Sequence, residues 1–180
     1  SDLVCRMMEN QSVTLTSVHS LYAANGFGLL NFKNRKNRGD IRSLPQFHAF
    51  KAIGALLKDN DTLYAPTLKG PVVNRKLAGL DQSVTFSDAG VYVFGDAQNP
   101  KQILAINRTD KALTLSYAGR QLAPKWMYGS DDPLPDYLKE KAYFWVDAPD
   151  VIPQPQTVDG KAKTSIDLPP WTMLVADING

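Results

Sequence analysis

The 180-residue chain has little of what metal and redox sites require. Cys5 is its only cysteine, which excludes an intrachain disulfide and any multi-cysteine zinc site. The two histidines, His19 and His48, lie far apart in the sequence and outside any metal-ligand spacing. Glu9 and Glu140 are the only glutamates among 18 acidic residues, and the rest are Asp, mostly beside Gly, Pro and Asn as in turns and caps. We therefore expect neither a metal centre nor a cofactor.

Signals for membranes and for nucleophilic catalysis are also missing. No apolar run reaches membrane-spanning length, so we expect no membrane contact. There is no G-x-S-x-G motif, and Cys5 has no histidine close to it in the sequence. The first residues show neither an initiator Met nor the pattern of a signal peptide, and we expect the natural start to lie upstream. Hydrophobic residues nevertheless make up 43% of the chain, enough to bury a core.

Charge is unevenly distributed, although the formal net charge is only +2. Residues 33–76 contain 10 Lys and Arg against three Asp, whereas the chain from Asp81 onward contains 13 acidic residues against nine basic ones. The basic half permits an anionic partner, and it is equally consistent with a solvated face.

The hydrophobic pattern changes near residue 66. Before it, we predict helical structure over 1–25, either one helix or two short helices with a break between Asn10 and Thr16. We also predict a strand over 27–32 that is buried on both faces as in parallel sheets, and a helix over 46–58 with Ser43 as its N-cap. After it, about eight short segments rich in Val, Ile, Tyr, Phe and Thr alternate with turn residues, at 71–73, 83–86, 91–94, 102–107, 112–117, 143–146, 164–168 and 171–177. The chain is thus predicted to be mainly β: an antiparallel β-sandwich over 66–180, preceded by a helix-strand-helix segment over 1–65.

Two segments carry a resemblance to a known family. The segment ILAINRT at 103–109 looks like a strand that runs into an N-R-S/T turn in the accessory sandwiches of glycosidases. The segment LPPWTMLV at 168–175 resembles the closing strand of the same sandwiches. With the upstream helix-strand-helix, the order of elements is similar to the C-terminal part of clan A glycoside hydrolases. In that clan a (β/α)8 barrel is followed by a β-sandwich, as in families of β-xylosidases, arabinofuranosidases and β-glucuronidases.

The resemblance implies a role without catalysis for this chain. Residues 27–32 and 46–58 would be the last barrel strand and helix, and the chain would be the C-terminal accessory domain of a retaining glycoside hydrolase that acts on oligosaccharides or polysaccharides. It would support the catalytic barrel of the same polypeptide. Such enzymes use two glutamates at barrel strand ends, and neither Glu9 nor Glu140 has that position. The resemblance thus implies a catalytic pair upstream of Ser1, and a secreted or periplasmic enzyme.

Five side chains are candidate carbohydrate contacts. Asn31, Lys33 and Arg35 would lie at the C-terminal end of the predicted barrel strand, where loops line the substrate cleft. Lys and Arg would suit an anionic sugar. Trp126 and Tyr128 lie beside a turn-like segment and are suited to stack on sugar rings. The competing interpretations are a solvated loop for the first group and core packing for the second.

A stand-alone carbohydrate-binding module is the alternative function, and an exposed, coplanar pair of Trp126 and Tyr128 would favour it. A barrel fragment would instead expose the apolar faces of 27–32 and 46–58. The basic loop at 33–42 also resembles a phosphate-binding surface, but it contains no aromatic residue on which bases could stack. We therefore favour carbohydrate over nucleic acid as the partner.

Three glycosylation sequons begin at Asn10, Asn60 and Asn107. They would be used only on a eukaryotic secretory route, which the sequence does not establish.

Overall fold

A computed structural model describes residues 5, 29–32, 41–43, 45–76, 83–129 and 155–179. These residues form mainly antiparallel β-structure with one helix, α1, over Pro45–Asp59. In chain order the strands are β1 Leu30–Phe32, β2 Ile41–Ser43, β3 Thr62–Tyr64, β4 Val72–Lys76, β5 Ser83–Ser87, β6 Ala89–Gly95, β7 Pro100–Asn107, β8 Leu113–Ser116, β9 Gln121–Gly129, β10 Gln156–Thr157, β11 Ser165–Leu168 and β12 Thr172–Asn179.

A six-stranded antiparallel sheet in the order β10-β9-β12-β7-β6-β3 is the centre of this structure. Three two-stranded sheets accompany it within the described ranges, β1-β2, β4-β5 and β8-β11. Strand β12 lies between β9 and β7, and its side chains alternate between two separate hydrophobic clusters. Because successive side chains of a strand point to opposite faces, the central sheet is buried on both faces.

Helix α1 covers one face of the central sheet. Ala49, Ile53 and Leu56 follow one another at i, i+4 and i+7, and they share a core with Tyr92, Phe94, Leu104, Met173 and Val175 of the sheet. Pro45 occupies the first helical position, where its missing N–H costs nothing. At the other end, Nδ2 of Asn60 donates to the carbonyl oxygen of Leu56 at 2.8 Å and caps the last turn.

Strands β8 and β11 cover part of the opposite face. Leu115, Ile166 and Leu168 pack there against Ile103 and Leu174 of the central sheet. The chain passes from β8 to β9 through a tight turn in which Ala118 and Gly119 both have positive φ, 47° and 73°. Arg120 N–H closes this turn by donating to the Tyr117 carbonyl at 2.8 Å. Two consecutive positive φ angles are the type I′ geometry, which glycine favours at its second position.

Asn107 joins the two segments that carry the family resemblance. It is only 2% exposed. Its Nδ2 donates to the carbonyl oxygens of Lys111, Leu168 and Pro169 at 2.7, 3.0 and 2.9 Å. Its Oδ1 accepts from the backbone N–H and the hydroxyl of Thr109, both at 2.9 Å. The asparagine of the N-R-T turn therefore holds the end of β7 against the turn that follows β11.

Two of the three sequons are buried. Asn107 is 2% exposed and Asn60 is 8% exposed, and in both the Nδ2 atom that would carry a glycan is a hydrogen-bond donor. Neither asparagine can carry a glycan in this fold. Asn10 lies outside the described residues.

The predicted helix is confirmed, but partly different residues form its buried face. The sequence predicts a helix over 46–58, and the structure has Pro45–Asp59. The helical spacing of Phe47, Phe50, Ile53, Gly54 and Leu57 in the sequence predicts the apolar face. Gly54 and Leu57 are exposed instead, Leu57 by 48%, because Ala49 and Leu56 join Ile53 in the contacts with the sheet. Ser43 belongs to β2 and does not immediately precede the helix. The predicted helix over 1–25 lies outside the described residues except for Cys5, which is helical and buried.

The first strand differs from its prediction. The sequence predicts a parallel strand buried on both faces over 27–32, of which the structure describes 29–32. Residues Leu30–Phe32 pair antiparallel with Ile41–Ser43, and Leu30 is only half-buried. An apolar run indicates burial but not strand direction, and a nearby segment of the chain can pair with it as an antiparallel partner.

Most predicted strands after residue 66 occur within a few residues of their predicted bounds, and 143–146 lies outside the described residues. Strands β2, β3, β9 and β10 have no counterpart among the predicted strands. Strand β9 contains Pro124, which argues against a central strand. Strand β3 pairs with β6, so the boundary expected at residue 65 falls between elements that share one sheet.

Candidate functional site

A groove of about 580 Å³ lies between helix α1 and the central sheet. One wall is a face of α1 on which His48, Ala52, Ala55 and Asp59 follow at i, i+4, i+7 and i+11. The floor comes from three neighbouring strands of the sheet and consists of Gln102 on β7, Val175 on β12, and Lys125 and Trp126 on β9. Pro155 and Thr157, at strand β10, line the far side. The groove therefore brings together side chains from five elements, α1, β7, β9, β10 and β12.

Aromatic rings form the apolar end of the groove. Trp126 and Tyr128 are two residues apart on β9 and so share one face of the sheet. Their rings are nearly parallel, with an interplanar angle of 16° and a centroid distance of 6.2 Å. Tyr128 also stacks on His48 at 5.2 Å and 28°. Both aromatic residues of β9 are half-buried, but only Trp126 lines the groove, so Tyr128 supports its two neighbours.

His48 is the unusual polar group of this site. It is 7% exposed, and within the described part of the chain its Nε2 atom is buried without a hydrogen-bond partner. Burial, and secondarily the nearby ammonium of Lys51, lowers the pKa of His48 below its ordinary value of 6.5. The imidazole is therefore neutral near pH 7, with one ring nitrogen as a donor and the other as an acceptor.

A chain of hydrogen bonds forms the polar end of the groove. Nδ2 of Asn60 donates to Oε1 of Gln102 at 2.8 Å, and Nε2 of Gln102 donates to Oδ1 of Asp177 at 3.0 Å. The second carboxylate oxygen of Asp177 binds Nζ of Lys125 at 2.6 Å. Because a carboxylate only accepts, each amide has one permitted orientation in this chain. Gln102 and Lys125 are thereby held in place on the groove floor.

A β-bulge in β9 places Lys125 beside Trp126. Val175 of β12 lies opposite Trp126, but the next residue, Ala176, lies opposite Pro124, so Lys125 is the extra residue. Pro124 has no N–H for the ladder, and a bulge is where a sheet tolerates that. Lys125 contacts Asp177 while Trp126 packs into the core beneath α1. The bulge thus puts an aromatic and a cationic side chain side by side in one groove.

The five candidate contacts divide into two groups. The structure brings Trp126 and Tyr128 together, with Trp126 in the groove and Tyr128 behind it. Asn31 lies in β1, and Lys33 and Arg35 lie outside the described residues. Trp126 is therefore the one candidate whose side chain the structure places in the groove.

Sequence reasoning missed His48, Gln102 and Lys125. His48 follows Phe47 in an amphipathic helix and looks like a core histidine, while Gln102 and Lys125 belong to no motif. One signal was available: Pro124 within an otherwise strand-like segment of aromatic residues indicates a bulge, and bulges are over-represented next to active sites.

A second cavity, of about 640 Å³, lies on the other side of the molecule between residues 66–71 and strands β8 and β11. Aliphatic side chains and Tyr117 line much of it, and Lys69 is its one charged lining residue among those described. Its hydrogen-bonding side chains are the hydroxyl groups of Thr67, Ser87, Thr114 and Ser116 with Tyr117, and its described lining includes no indole ring beside an amide and an ammonium group as in the groove.

Two other kinds of site are absent from the part of the chain that the structure describes. Among the described residues, no three or more His, Cys, Asp and Glu side chains are grouped so that they could hold a metal ion. No helix in those same ranges has the length and apolar character needed to cross a membrane. Scans of the chain against protein-family models and against the curated proteins found no match.

Proposed function

We propose that the groove between α1 and the central sheet binds carbohydrate, and that the chain is a non-catalytic accessory domain of a glycoside hydrolase. The observation that carries this proposal is the position of Trp126, half-buried in the groove next to Gln102 and Lys125. A sugar ring has an apolar CH face and a rim of hydroxyl groups. It therefore needs an aromatic surface with hydrogen-bonding side chains close by, and this groove offers both.

The architecture supports the accessory-domain part of the proposal. The central sheet with β8-β11 on one face has the two-layer antiparallel arrangement of a β-sandwich. Helix α1, on the other face, would correspond to the last barrel helix implied by the resemblance. The catalytic carboxylates would then lie in an upstream barrel of the same polypeptide, in a secreted or periplasmic enzyme.

A stand-alone carbohydrate-binding module is the second candidate, and one observation favours it. The apolar side chains of α1 are covered by the sheet, with Ile53 and Leu56 at 3% and 2% exposure. A helix left over from a barrel would leave such a face uncovered. The size of the native protein separates the two candidates, because a barrel adds about 250 residues. An antibody against this chain should detect a band well above the 19.9 kDa of this sequence if it is an accessory domain.

Affinity gel electrophoresis tests carbohydrate binding in either case. Gels would contain β-1,4-xylan, hydroxyethylcellulose or alginate, and migration of the wild-type chain would be compared with that of Trp126→Ala. We expect at least one polysaccharide to retard the wild-type protein and the substitution to weaken that interaction about tenfold or more. Tyr117→Ala is the matched control, since Tyr117 is also half-buried and packs against the core on the opposite side of the sheet.

The control separates a lost contact from a lost fold. Both variants should keep the circular dichroism spectrum of the wild type, and only Trp126→Ala should lose retardation. If no polysaccharide retards the wild-type protein, or if Trp126→Ala is retarded as strongly as the wild type, the proposed function is wrong.

A further inference from the structure

We infer that His48 is a sugar-contacting residue of the groove, and that its Nε2 atom forms a hydrogen bond with a hydroxyl group of a neutral sugar ring stacked on Trp126. This inference rests on the proposed function and adds to it the polar contact and the class of sugar. It depends on the position of the imidazole, on its unused hydrogen-bonding atom and on the charge of the groove.

The imidazole is held rigidly at the groove wall. Its backbone belongs to α1, one ring face stacks on Tyr128 at 5.2 Å, and Phe47 contacts it edge-on at 5.6 Å. His48 nevertheless lines the groove, together with Trp126. A group fixed by a helix and two rings keeps its orientation before a ligand arrives, and this is the preorganisation that favours binding.

The unused atom is Nε2. Native proteins pair nearly all buried polar atoms, because leaving one unpaired costs free energy. Within the described residues His48 Nε2 has no such partner, and His48 is only 7% exposed, so water does not replace that partner. The other polar groups of the groove floor, Gln102 and Lys125, are already paired with Asp177. Nε2 itself has almost no accessible surface, so a ligand reaches it only when a side chain next to the imidazole moves aside, and the hydrogen bond then removes this cost.

A hydroxyl group suits this position better than an ion. Depending on the tautomer, Nε2 of a neutral imidazole either donates or accepts, and a hydroxyl group can do both. The groove also carries no net charge, since Lys51 and Lys125 are matched by Asp59 on its wall and Asp177 beneath its floor. Lys125, the cation beside Trp126, is already paired with Asp177, so a carboxylate or sulfate at this position would have to compete with that carboxylate. The ligand class is therefore a neutral, hydroxyl-rich ring, such as a pentose or hexose unit.

Two substitutions test the contact. His48→Phe keeps a ring on Tyr128 but removes Nε2, whereas His48→Gln places an amide group close to the position of Nε2. The probes are hexasaccharides of β-1,4-linked xylose and of β-1,4-linked glucose, with binding measured by calorimetry. We expect His48→Phe to bind the better probe about tenfold more weakly than wild type, and His48→Gln to recover most of that loss.

The stability of His48→Phe separates a sugar contact from a purely structural role of His48. Replacing a buried, unpaired polar atom by carbon removes its desolvation cost, so His48→Phe should be as stable as wild type or more stable while it binds more weakly. In the wild type, the imidazole ¹⁵N signals of His48 should shift when the probe is added, and those of His19 should not. A structural role would instead lower stability and leave those signals unchanged.

The outcomes separate the two proposals. If the wild type binds, Trp126→Ala abolishes binding and His48→Phe binds as well as wild type, the groove remains a sugar site and the role of His48 is refuted. If alginate alone retards the wild type and neither hexasaccharide binds, the inference of a neutral sugar is overturned while carbohydrate binding stands. If Trp126→Ala has no effect, both proposals fail together.

Discussion

Two buried polar side chains, Asn107 and His48, lie on opposite faces of the central sheet and differ in how their hydrogen-bonding atoms are used. Asn107 faces β11, and both its amide atoms are occupied, by three carbonyl oxygens and by the N–H and hydroxyl of Thr109. His48 faces the groove beneath α1, and within the described residues its Nε2 has no partner. We call the arrangement around Asn107 a closed network, because both atoms of its amide group are paired within the protein. We call the arrangement around His48 open, because its Nε2 atom is unpaired within the described residues.

This difference separates structural from binding polar groups. A buried polar group that is fully paired inside the protein stabilises one arrangement of the chain and has nothing left for a ligand. A buried group with an unused atom lowers stability unless something binds it. The segments that resemble glycosidase sandwiches belong to the closed network, so they indicate architecture. Of the residues that line the groove we assign to carbohydrate, only Val175 among those described belongs to these segments.

We expect the largest effect on stability from replacing Asn107, the centre of the closed network. Asn107→Ala removes the side-chain donor to the carbonyl oxygens of Leu168 and Pro169 and the acceptor of the Thr109 N–H, while the Lys111 carbonyl keeps the Thr109 hydroxyl as a donor. We expect the free energy of unfolding to fall by about 3 kcal/mol or more, measured by urea denaturation. Binding of the hexasaccharides by the remaining folded protein should be unchanged, because Asn107 is on the face away from the groove.

Asn74→Ala is the control for that prediction. Asn74 is exposed and its side chain accepts a hydrogen bond from the Thr85 hydroxyl, so its loss should change stability by less than about 0.5 kcal/mol. If Asn107→Ala is no less stable than Asn74→Ala, Asn107 does not hold the two turns together.

A smaller effect is expected from the chain of hydrogen bonds at the polar end of the groove. Gln102→Leu removes the acceptor of Asn60 Nδ2 and the donor to Asp177. We expect a loss of about 1–2 kcal/mol in the free energy of unfolding, together with weaker sugar binding, because Lys125 loses its fixed partner geometry. Gln98→Leu, at an exposed turn position, is the matched control. Equal stability of the two variants would show that the chain of hydrogen bonds adds nothing.

The sequence predicts the strands and the helix because their signals are local. Alternating apolar residues mark β8 and β11, and helical spacing marks α1 to within one residue at each end. Trp126 could be singled out as a possible stacking residue from its type alone. These features depend on residues close together in the chain, which is the range over which periodicity carries information.

The groove could not be predicted in the same way. His48, Gln102 and Trp126 come from elements that meet only when the sheet order β9-β12-β7 forms and α1 packs across it. The antiparallel pairing of β1 with β2 has no strong local signal, since it depends on the partner strand. Pro124 indicates a bulge, but the identity of the extra residue, Lys125, depends on the register with β12. The unpaired state of His48 Nε2 is likewise a property of the packed structure.

The burial of His48 predicts that the free energy of unfolding depends on pH. Burial, followed by Lys51, lowers the pKa of His48 in the folded chain below 6.5. As the pH falls below 6.5, the unfolded state therefore takes up more protons than the folded state, and the free energy of unfolding decreases. Urea denaturation from about pH 7.5 to about pH 5 should show this decrease in the wild type, and a weaker one in His48→Gln.

Other groups near the imidazole do not give the same signal. Lys51, Asp59, Tyr128 and Asp177 face or neighbour the imidazole, and all of them are present in both proteins, so their contributions cancel in the difference between wild type and His48→Gln. A difference between wild type and His48→Gln that stays constant over this pH range would contradict the burial of His48.

The smallest effect concerns the helix that forms the groove wall. Gly54 lies within α1 with an exposed position, and a Cβ there would meet nothing within 4 Å. Gly54→Ala should raise the free energy of unfolding by about 0.5–1 kcal/mol, because alanine loses less backbone entropy in a helix. Gly95→Ala is the contrasting variant, since a Cβ there would lie 2.0 Å from the carbonyl oxygen of Asn99 and should destabilise the β6-β7 turn.

Because Gly54 does not line the groove, Gly54→Ala should bind the hexasaccharides like wild type. Weaker binding by this more stable variant would mean that the groove depends on flexibility of α1, and the rigid placement of His48 would then be refuted.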